Sequence, residues 1–155
     1  MEKARKFFRL PAAERRALLA AFWWVDCARV GLWLLPYSTL QKFLPSRVRP
    51  RQSPSLPRLR GDGAAASAAQ ACERLLWAIA VASRTVPHAT CLTRALAART
   101  LLARAGYDST LRVGVAKQGA RLDAHAWLEC NGVAVLGCDE RARFVALPAL
   151  ETEKA

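Results

Sequence analysis

Residues 111–136 have the sequence LRVGVAKQGARLDAHAWLECNGVAVL, and this stretch decides the fold. Apolar residues alternate with polar or small ones at its start (LRVGV), which is the pattern of a β-strand with one buried face. Asn131-Gly132 is a strong signal for a tight turn between two antiparallel strands. The stretch and the residues after it predict four strands, at about 111–115, 122–130, 133–136 and 143–147.

The chain before this stretch has helical periodicity, with apolar residues at i, i+3 and i+4. The pattern predicts helices at about residues 11–35, 37–44, 64–84 and 91–104. The tryptophans of the first helix are expected to pack in the core rather than to bind a ligand. Trp23 and Trp33 belong to a wide, mostly apolar stripe, whose residues are Leu18, Leu19, Phe22, Trp23, Asp26, Val30, Trp33 and Leu34. Helices followed by an antiparallel sheet indicate an α+β fold.

The predicted elements divide the chain into three parts: an N-terminal helical region (1–44), a basic proline-rich loop (45–63) and a core (64–150). The prolines of the loop disfavour helix and sheet. Five arginines make it strongly positive: Arg47, Arg49, Arg51, Arg58 and Arg60. The loop is either a solvated connector or a docking strip for an acidic partner.

The composition sets further limits. The chain has 155 residues, 53% of them hydrophobic, which suits one folded domain and excludes a disordered chain. A net charge of +12 predicts an acidic partner, such as nucleic acid, a membrane surface or an acidic peptide. Five cysteines without a CxxC pair favour a reducing cytoplasm over a disulfide framework. Two histidines and scattered cysteines argue against a zinc site.

The longest apolar stretch, residues 17–36, contains Asp26 and Arg29 and ends at Pro36. A helix that spans a membrane needs roughly 20 apolar residues without such interruptions. The stretch therefore predicts a buried or interfacial helix. It also lacks the cleavage site of a secretory signal peptide.

Cys91 and His125 are the candidate nucleophile and base. Thr90 or Ala89 precedes the helix, so Cys91 lies in its first turn, where free backbone amides and the helix dipole stabilise a thiolate. His125 lies on the second strand. His88, three residues before Cys91, is the alternative base, although no third group is evident to orient it. The other cysteines at 27, 72 and 130 are expected to be small buried hydrophobes.

The register of the hairpin bears on the group that orients the imidazole. A two-residue Asn131-Gly132 turn pairs Cys130 with Val133 and puts His125 opposite position 138. A three-residue loop, with glycine in a left-handed bulge position, pairs position 129 with Val133 and puts His125 opposite position 137.

The three-residue loop places Asp139 diagonally next to His125, on the same face of the sheet. We therefore predict this loop, with Asp139 as the orienting acid. Asp123, Glu129, a backbone carbonyl and water remain alternatives.

Several runs of the chain resemble the lasso peptide biosynthesis B2 proteins, which are transglutaminase-like, papain-related cysteine proteases. The runs are Cys-Leu-x-Arg-Ala-Leu-Ala at 91–97, Leu-Leu-x-Arg-x-Gly at 101–106, Leu-Arg-Val-Gly-Val at 111–115 and His-Ala-Trp-Leu-Glu at 125–129. The N-terminal run FFRLPAAERR at 7–16 is also similar to that family.

The resemblance implies a transglutaminase-like core, in which a helix with the cysteine at its N-terminus packs on a small antiparallel sheet. It implies a leader peptidase, with Cys91 as nucleophile and His125 as base and no cofactor. The family's acid is expected on the strand after the hairpin, where the nearest position by spacing is Gly137, which has no side chain to serve. Asp139 lies two residues further on.

The resemblance also implies partners. The substrate would be the leader of a ribosomally made precursor peptide, and a separate ATP-dependent cyclase would close the ring afterwards. The chain resembles the split form of the family, in which a small B1 protein grips the leader. The basic loop and the first helix are candidate contact surfaces for B1, the precursor or the cyclase.

Two other functions are weighed against this one. A basic nucleic-acid-binding protein would fit the charge, but no DNA-reading motif is present and the aromatic residues lie on apolar stripes. A peripheral membrane protein could use the helix that contains Phe22-Trp23-Trp24.

Overall fold

The computed structural model describes residues 7–36, 39, 63–130, 132–138 and 141–147. Its helices are α1 (Ala12–Leu34), α2 (Gly63–Thr85) and α3 (Cys91–Arg104). These bounds confirm the predicted helices at 11–35, 64–84 and 91–104 to within a residue at each end. The predicted helix at 37–44, apart from Thr39, and the basic loop at 45–62 lie outside the described residues.

Helix α1 packs against both α2 and α3. Its buried face consists of Ala17, Leu18, Ala21, Val25 and Ala28. Small side chains at helical spacing allow the backbones of neighbouring helices to approach closely. The partner helices bury larger residues in the same core, among them Ile79 of α2 and Leu96 and Leu102 of α3.

The predicted packing role of the α1 tryptophans is wrong for two of them. Trp23 is 67% exposed and Trp33 is 83% exposed. Both face away from the alanine-rich stripe, because the helix presents its small residues to α2 and α3. Trp24 is half-buried, and the guanidinium of Arg104 lies 4.7 Å from the centre of its ring.

Helix α1 is long and apolar enough to cross a membrane, judged by length and composition alone. The most apolar 18-residue window has a mean hydropathy of 1.4, and 28% of it is buried within the protein. The helix also agrees with the predicted buried or interfacial helix, because one face packs on α2 and α3 and the other face is exposed.

The sheet has four antiparallel strands in the order β3-β2-β1-β4. The strands are β1 (Thr110–Gln118), β2 (Arg121–Cys130), β3 (Val133–Leu136) and β4 (Val145–Ala146). A single turn of 3-10 helix, Arg141–Arg143, precedes β4. The α+β fold predicted from the sequence is confirmed.

The predicted three-residue loop between β2 and β3 is wrong. Cys130 pairs with Val133, so the connection is the two-residue turn. Gly132 has a φ of +78°, the left-handed conformation that such a turn requires of glycine. The pairing then shifts at a β-bulge next to Leu128, which pairs with Leu136.

The two faces of the sheet have different surroundings. Ala126, Leu128 and Cys130 of β2 belong to the core cluster that contains the helices. Side chains along a strand point alternately to opposite faces. His125, Trp127 and Glu129 therefore lie on the other face.

Candidate functional site

Cys91 is the first residue of α3. The side-chain oxygen of Thr90 caps the helix by accepting a hydrogen bond from the backbone N–H of Thr93, at 3.2 Å. This interaction satisfies one of the free amides of the first turn and leaves others available to an anion. The Cys91 side chain is half-buried and free. The thiol therefore has the position that the sequence predicts for a nucleophile.

A cleft of about 560 Å³ opens beside this helix start. Thr90 and Thr93 form one side, and residues from the C-terminal half of α1, including Val30 and Trp33, form the other. The cleft combines apolar side chains with the guanidinium of Arg29 and the hydroxyl groups of Thr90 and Thr93. Thr90 directly precedes Cys91.

His88 lines the same cleft from the turn between α2 and α3. It is exposed and has a φ of +58°, which is uncommon for a residue other than glycine. No hydrogen bond or ion pair joins its ring to another group in the part of the chain that the structure describes.

His125 is half-buried on β2, and its ring is held on three sides. Its Nε2 atom lies 3.1 Å from the carbonyl oxygen of Gly137. The ring of Phe144 stacks on it at a centroid distance of 5.1 Å, and that of Trp127 at 6.3 Å. The imidazole therefore has a defined orientation.

Cys91 and His125 lie on elements that pack together, since α3 packs on β2. Within the described residues, no hydrogen bond joins the thiol to the imidazole. The alternation along β2 puts His125 on the face opposite Ala126, which packs in the helical core. Catalytic hydrogen bonds are often long or poorly aligned until substrate binds. The catalytic pair remains a prediction.

Asp139, the predicted orienting acid, lies outside the described residues. Of the other carboxylates considered, Asp123 is exposed on the same face as His125, opposite Ala116.

Glu129 already has other partners. It accepts hydrogen bonds from the indole N–H of Trp127 at 2.9 Å and from Nε of Arg112 at 3.2 Å. Arg141 also lies 3.7 Å from it. Burial raises the pKa of the Glu129 carboxyl, but these two hydrogen bonds and two positive charges outweigh burial and lower it overall.

Sequence reasoning considered a backbone carbonyl as the partner of His125 but did not place it at Gly137. Glycine has no side chain that could orient the imidazole, and a sequence pattern does not show where its carbonyl group points. The role of Phe144 was missed as well, because no local pattern links it to His125. Among the described residues, no group of three or more histidine, cysteine, aspartate or glutamate side chains is arranged to hold a metal ion.

Comparison with known proteins gives the family. The sequence model of the Transglutaminase-like superfamily matches residues 31–149, which include α3, β1, β2 and β3. A comparison with curated proteins and one with solved structures each found no significant match. A helix that begins at a cysteine and packs on an antiparallel sheet with a histidine on its second strand agrees with the matched family, and the chain belongs to the transglutaminase-like superfamily.

Proposed function

We propose that this protein is a cysteine peptidase that removes the leader from a lasso peptide precursor. The observation that carries the proposal is Cys91, a half-buried free thiol at the capped start of α3, in a chain of the transglutaminase-like superfamily. Domains of this superfamily are typical of cysteine peptidase-like proteins.

The packing of α3 on β2 supports a role for His125, because it brings the helix that begins with Cys91 next to the strand that carries His125. Residues 105–109 connect the C-terminal end of α3 to Thr110, which pairs with Glu129. The C-terminal end of α3 therefore lies near Glu129, and Cys91 lies at the opposite end of the helix. His125 lies where β2 leaves the core, since residues 121–124 are exposed and residues 126–130 are buried.

The proposed reaction follows from these groups. His125 accepts the proton of the Cys91 thiol, and the thiolate sulfur attacks the carbonyl carbon of the scissile peptide bond. The free amides of the first turn of α3 stabilise the resulting oxyanion. The C–N bond then breaks, and the protonated imidazole returns its proton to the leaving amine. Water hydrolyses the thioester with His125 as base, which releases the leader and regenerates the thiol.

The narrower assignment, leader removal, is supported by the runs at 91–97 and 125–129 that resemble the B2 proteins. In this proposal the protein acts in the cytoplasm, where precursor peptides are made. A separate B1 protein presents the leader, and the ATP-dependent cyclase acts on the freed core peptide. In this proposal, the cleft beside Thr90 binds the precursor residues next to the scissile bond.

The test is cleavage of the precursor by the full chain in the presence of B1, with both product ends identified by mass spectrometry. Cys91→Ala should abolish cleavage, whereas Cys27→Ala, a free cysteine in α1, should retain it. His125→Ala should reduce the rate by on the order of 10²–10⁴-fold, as expected for loss of a general base. His88→Ala, which changes only the lining of the cleft, should reduce it far less. Cleavage by the Cys91→Ala protein would refute the proposal.

Hydrolysis and acyl transfer are distinguished in the same assay. Hydrolysis leaves a free carboxylate on the leader, whereas transfer to an added amine leaves an amide of different mass. The proposal predicts the carboxylate.

The basic loop is proposed as a contact surface for B1, the precursor or the cyclase. Joint replacement of Arg47, Arg49 and Arg51 by glutamine should weaken processing or complex formation. The matched control is replacement of Arg84 and Arg121, which are exposed in the described part of the chain. Equal processing and equal complex formation by both variants would remove the loop from the proposal.

Membrane association is a second candidate function, favoured by the exposed apolar side of α1. Co-sedimentation with liposomes tests it, with joint replacement of Trp23 and Trp33 by glutamine as the matched variant. Loss of binding in this variant would support the second candidate. Failure of the wild-type protein to sediment would refute it.

A further inference from the structure

The carbonyl group of Gly137 is the hydrogen-bond partner of the His125 ring. The Nε2 atom of His125 lies 3.1 Å from this oxygen. A carbonyl oxygen accepts hydrogen bonds and cannot donate one, so the contact requires a proton on Nε2. In the neutral imidazole, the other nitrogen, Nδ1, then carries the lone pair that can accept a proton.

The backbone at position 137 is built so that the carbonyl reaches the ring. Gly137 follows β3 directly and has a φ of +75°, a conformation that favours glycine. A Cβ atom there would lie 3.1 Å from the carbonyl oxygen of Ala126 and 3.2 Å from Nε2 of His125. Any side chain at this position would therefore be strained and would press on the imidazole.

Neighbouring contacts hold the turn in place. Leu136 pairs with Leu128 on β2, which fixes the end of β3. The thiol of Cys138 donates a hydrogen bond to the carbonyl oxygen of Ala134, at 3.2 Å. The backbone N–H of Arg141 donates to the carbonyl oxygen of Cys138, also at 3.2 Å. The residues on both sides of Gly137 are therefore held by hydrogen bonds, and its carbonyl oxygen faces Nε2 of His125.

The rings of Phe144 and Trp127 restrict the imidazole further. Phe144 stacks on it with an interplanar angle of 27°, and Trp127 with an angle of 19°. The Trp127 ring is itself anchored by its hydrogen bond to Glu129. Rotation of the imidazole out of this arrangement would disturb both stacking contacts.

We propose that the backbone carbonyl of Gly137 is the positioning group of His125, and that it fixes the Nε2–H tautomer so that Nδ1 acts as the base. This inference rests on the proposed function for its catalytic meaning. It assigns to the main chain the part that a carboxylate plays in a catalytic triad, namely holding one tautomer and one orientation of the imidazole.

The tautomer can be measured without any substrate. The full chain is labelled with ¹⁵N-histidine, and the spectrum of the His125→Gln protein identifies the signals of His125. We expect the couplings of the Nε2–H tautomer for the neutral ring of His125. A neutral ring that is mainly the Nδ1–H tautomer would overturn the inference.

Two glycine variants provide a matched pair for activity. Gly137→Ala and Gly132→Ala both place alanine at a positive φ, but the added Cβ meets no atom within 4 Å at position 132. Gly137→Ala should lower the cleavage rate by on the order of 10²-fold, because a misplaced catalytic group costs that much. It should also give a mixture of tautomers. Gly132→Ala should keep the wild-type rate and tautomer, and equal behaviour of the two variants would overturn the inference.

Asp139→Asn completes the test. If Gly137 positions the ring, this variant keeps the Nε2–H tautomer of His125. A large loss of rate with a changed tautomer would assign the positioning to Asp139 instead. An Nε2–H tautomer in a wild-type chain that does not cleave the precursor would refute the proposed function and leave the Gly137 contact standing.

Discussion

The indole N–H of Trp127 donates a 2.9 Å hydrogen bond to Oε1 of Glu129, two residues further along the same strand. Arg112 on the neighbouring strand donates to the other carboxylate oxygen at 3.2 Å. This buried carboxylate therefore holds the tryptophan whose ring stacks on His125. His125, Trp127 and Glu129 of the run at 125–129 therefore form one connected face of β2.

Glu129→Gln should destabilise the protein by about 1 kcal/mol, because glutamine keeps an acceptor for Trp127 but loses the charge that faces Arg112. Glu129→Ala should cost more, roughly 2–3 kcal/mol, because the buried indole N–H is left without its acceptor. Urea unfolding of the wild-type chain and both variants measures these differences. An alanine variant as stable as the wild type would contradict the role of this contact.

The same carboxylate predicts a dependence of stability on pH. Its pKa is lower in the folded protein than in the unfolded chain, so its stabilising contribution is present above the unfolded value. The contribution is lost as the pH falls through the lower folded value. Unfolding free energies measured at a series of acidic pH values should fall more for the wild type than for Glu129→Gln. Parallel curves would contradict the prediction.

Gly114→Ala should displace the rings of Trp127 and Phe144, which stack on His125. A Cβ atom at this position would lie 2.8 Å from Cζ3 of Trp127 and 3.0 Å from Cβ of Phe144. Such overpacking costs about 1–3 kcal/mol and moves the two rings. Thermal unfolding and near-ultraviolet circular dichroism should both change.

The control for Gly114→Ala is Gly119→Ala, in the turn between β1 and β2, where the added Cβ meets no atom within 4 Å. This variant carries backbone strain, since Gly119 has a φ of +60°. It should lose some stability and keep the aromatic circular dichroism signal. An unchanged aromatic signal in Gly114→Ala would contradict the close packing of Trp127 on β1.

Thr90→Ala should destabilise α3 by about 1 kcal/mol, because it removes the side-chain acceptor for the N–H of Thr93. Thr90→Ser should restore most of this stability. Hydrogen exchange should become faster at the first amides of α3 in the alanine variant. Thr85→Ala at the C-terminal end of α2 is the matched control, and equal effects of the two alanine variants would argue against a capping role.

The cysteines should differ in their reaction with an alkylating reagent at about pH 8, where an ordinary thiol is partly ionised. Burial, followed by the nearby Cys72 and Asp108, raises the pKa of Cys130 to about 12. Burial also raises the pKa of Cys72. Peptide mapping should find Cys91 and the exposed Cys138 labelled in the native protein, and Cys72 and Cys130 protected until urea is added. Rapid native labelling of Cys130 would contradict its burial.

The raised pKa of Cys130 also predicts lower stability in alkali. The unfolded thiol loses its proton from about pH 8.5, whereas the folded thiol keeps it until about 12, so folding becomes less favourable across that interval. Cys130→Ala should show a smaller fall in unfolding free energy between these pH values. An equal fall would mean that other groups determine the alkaline behaviour.

Much of the fold could be predicted from local patterns. The period of the apolar residues placed the three described helices and the strands, because each element must present one face to the core. The position of Cys91 at the start of α3 followed from the same reasoning, and the cap by Thr90 is a contact between residues three apart in sequence.

The surroundings of His125 could not be predicted in this way. Position 137 reaches the ring through a left-handed turn that follows a β-bulge, and the hairpin register predicted from sequence was wrong. The face of α1 that packs in the core was also predicted wrongly from periodicity. Trp23 and Trp33 are exposed, and a stripe of small residues is buried instead.

The sequence by itself determined which segments are helices and strands, where the thiol lies on its helix, and which motifs belong together. These properties depend on neighbours a few residues apart. Only the tertiary structure decided that the carbonyl of Gly137 meets His125, and that Phe144, Trp127 and Glu129 support the same ring. The reason is that these contacts depend on how separate strands and turns pack against each other, which local patterns do not specify.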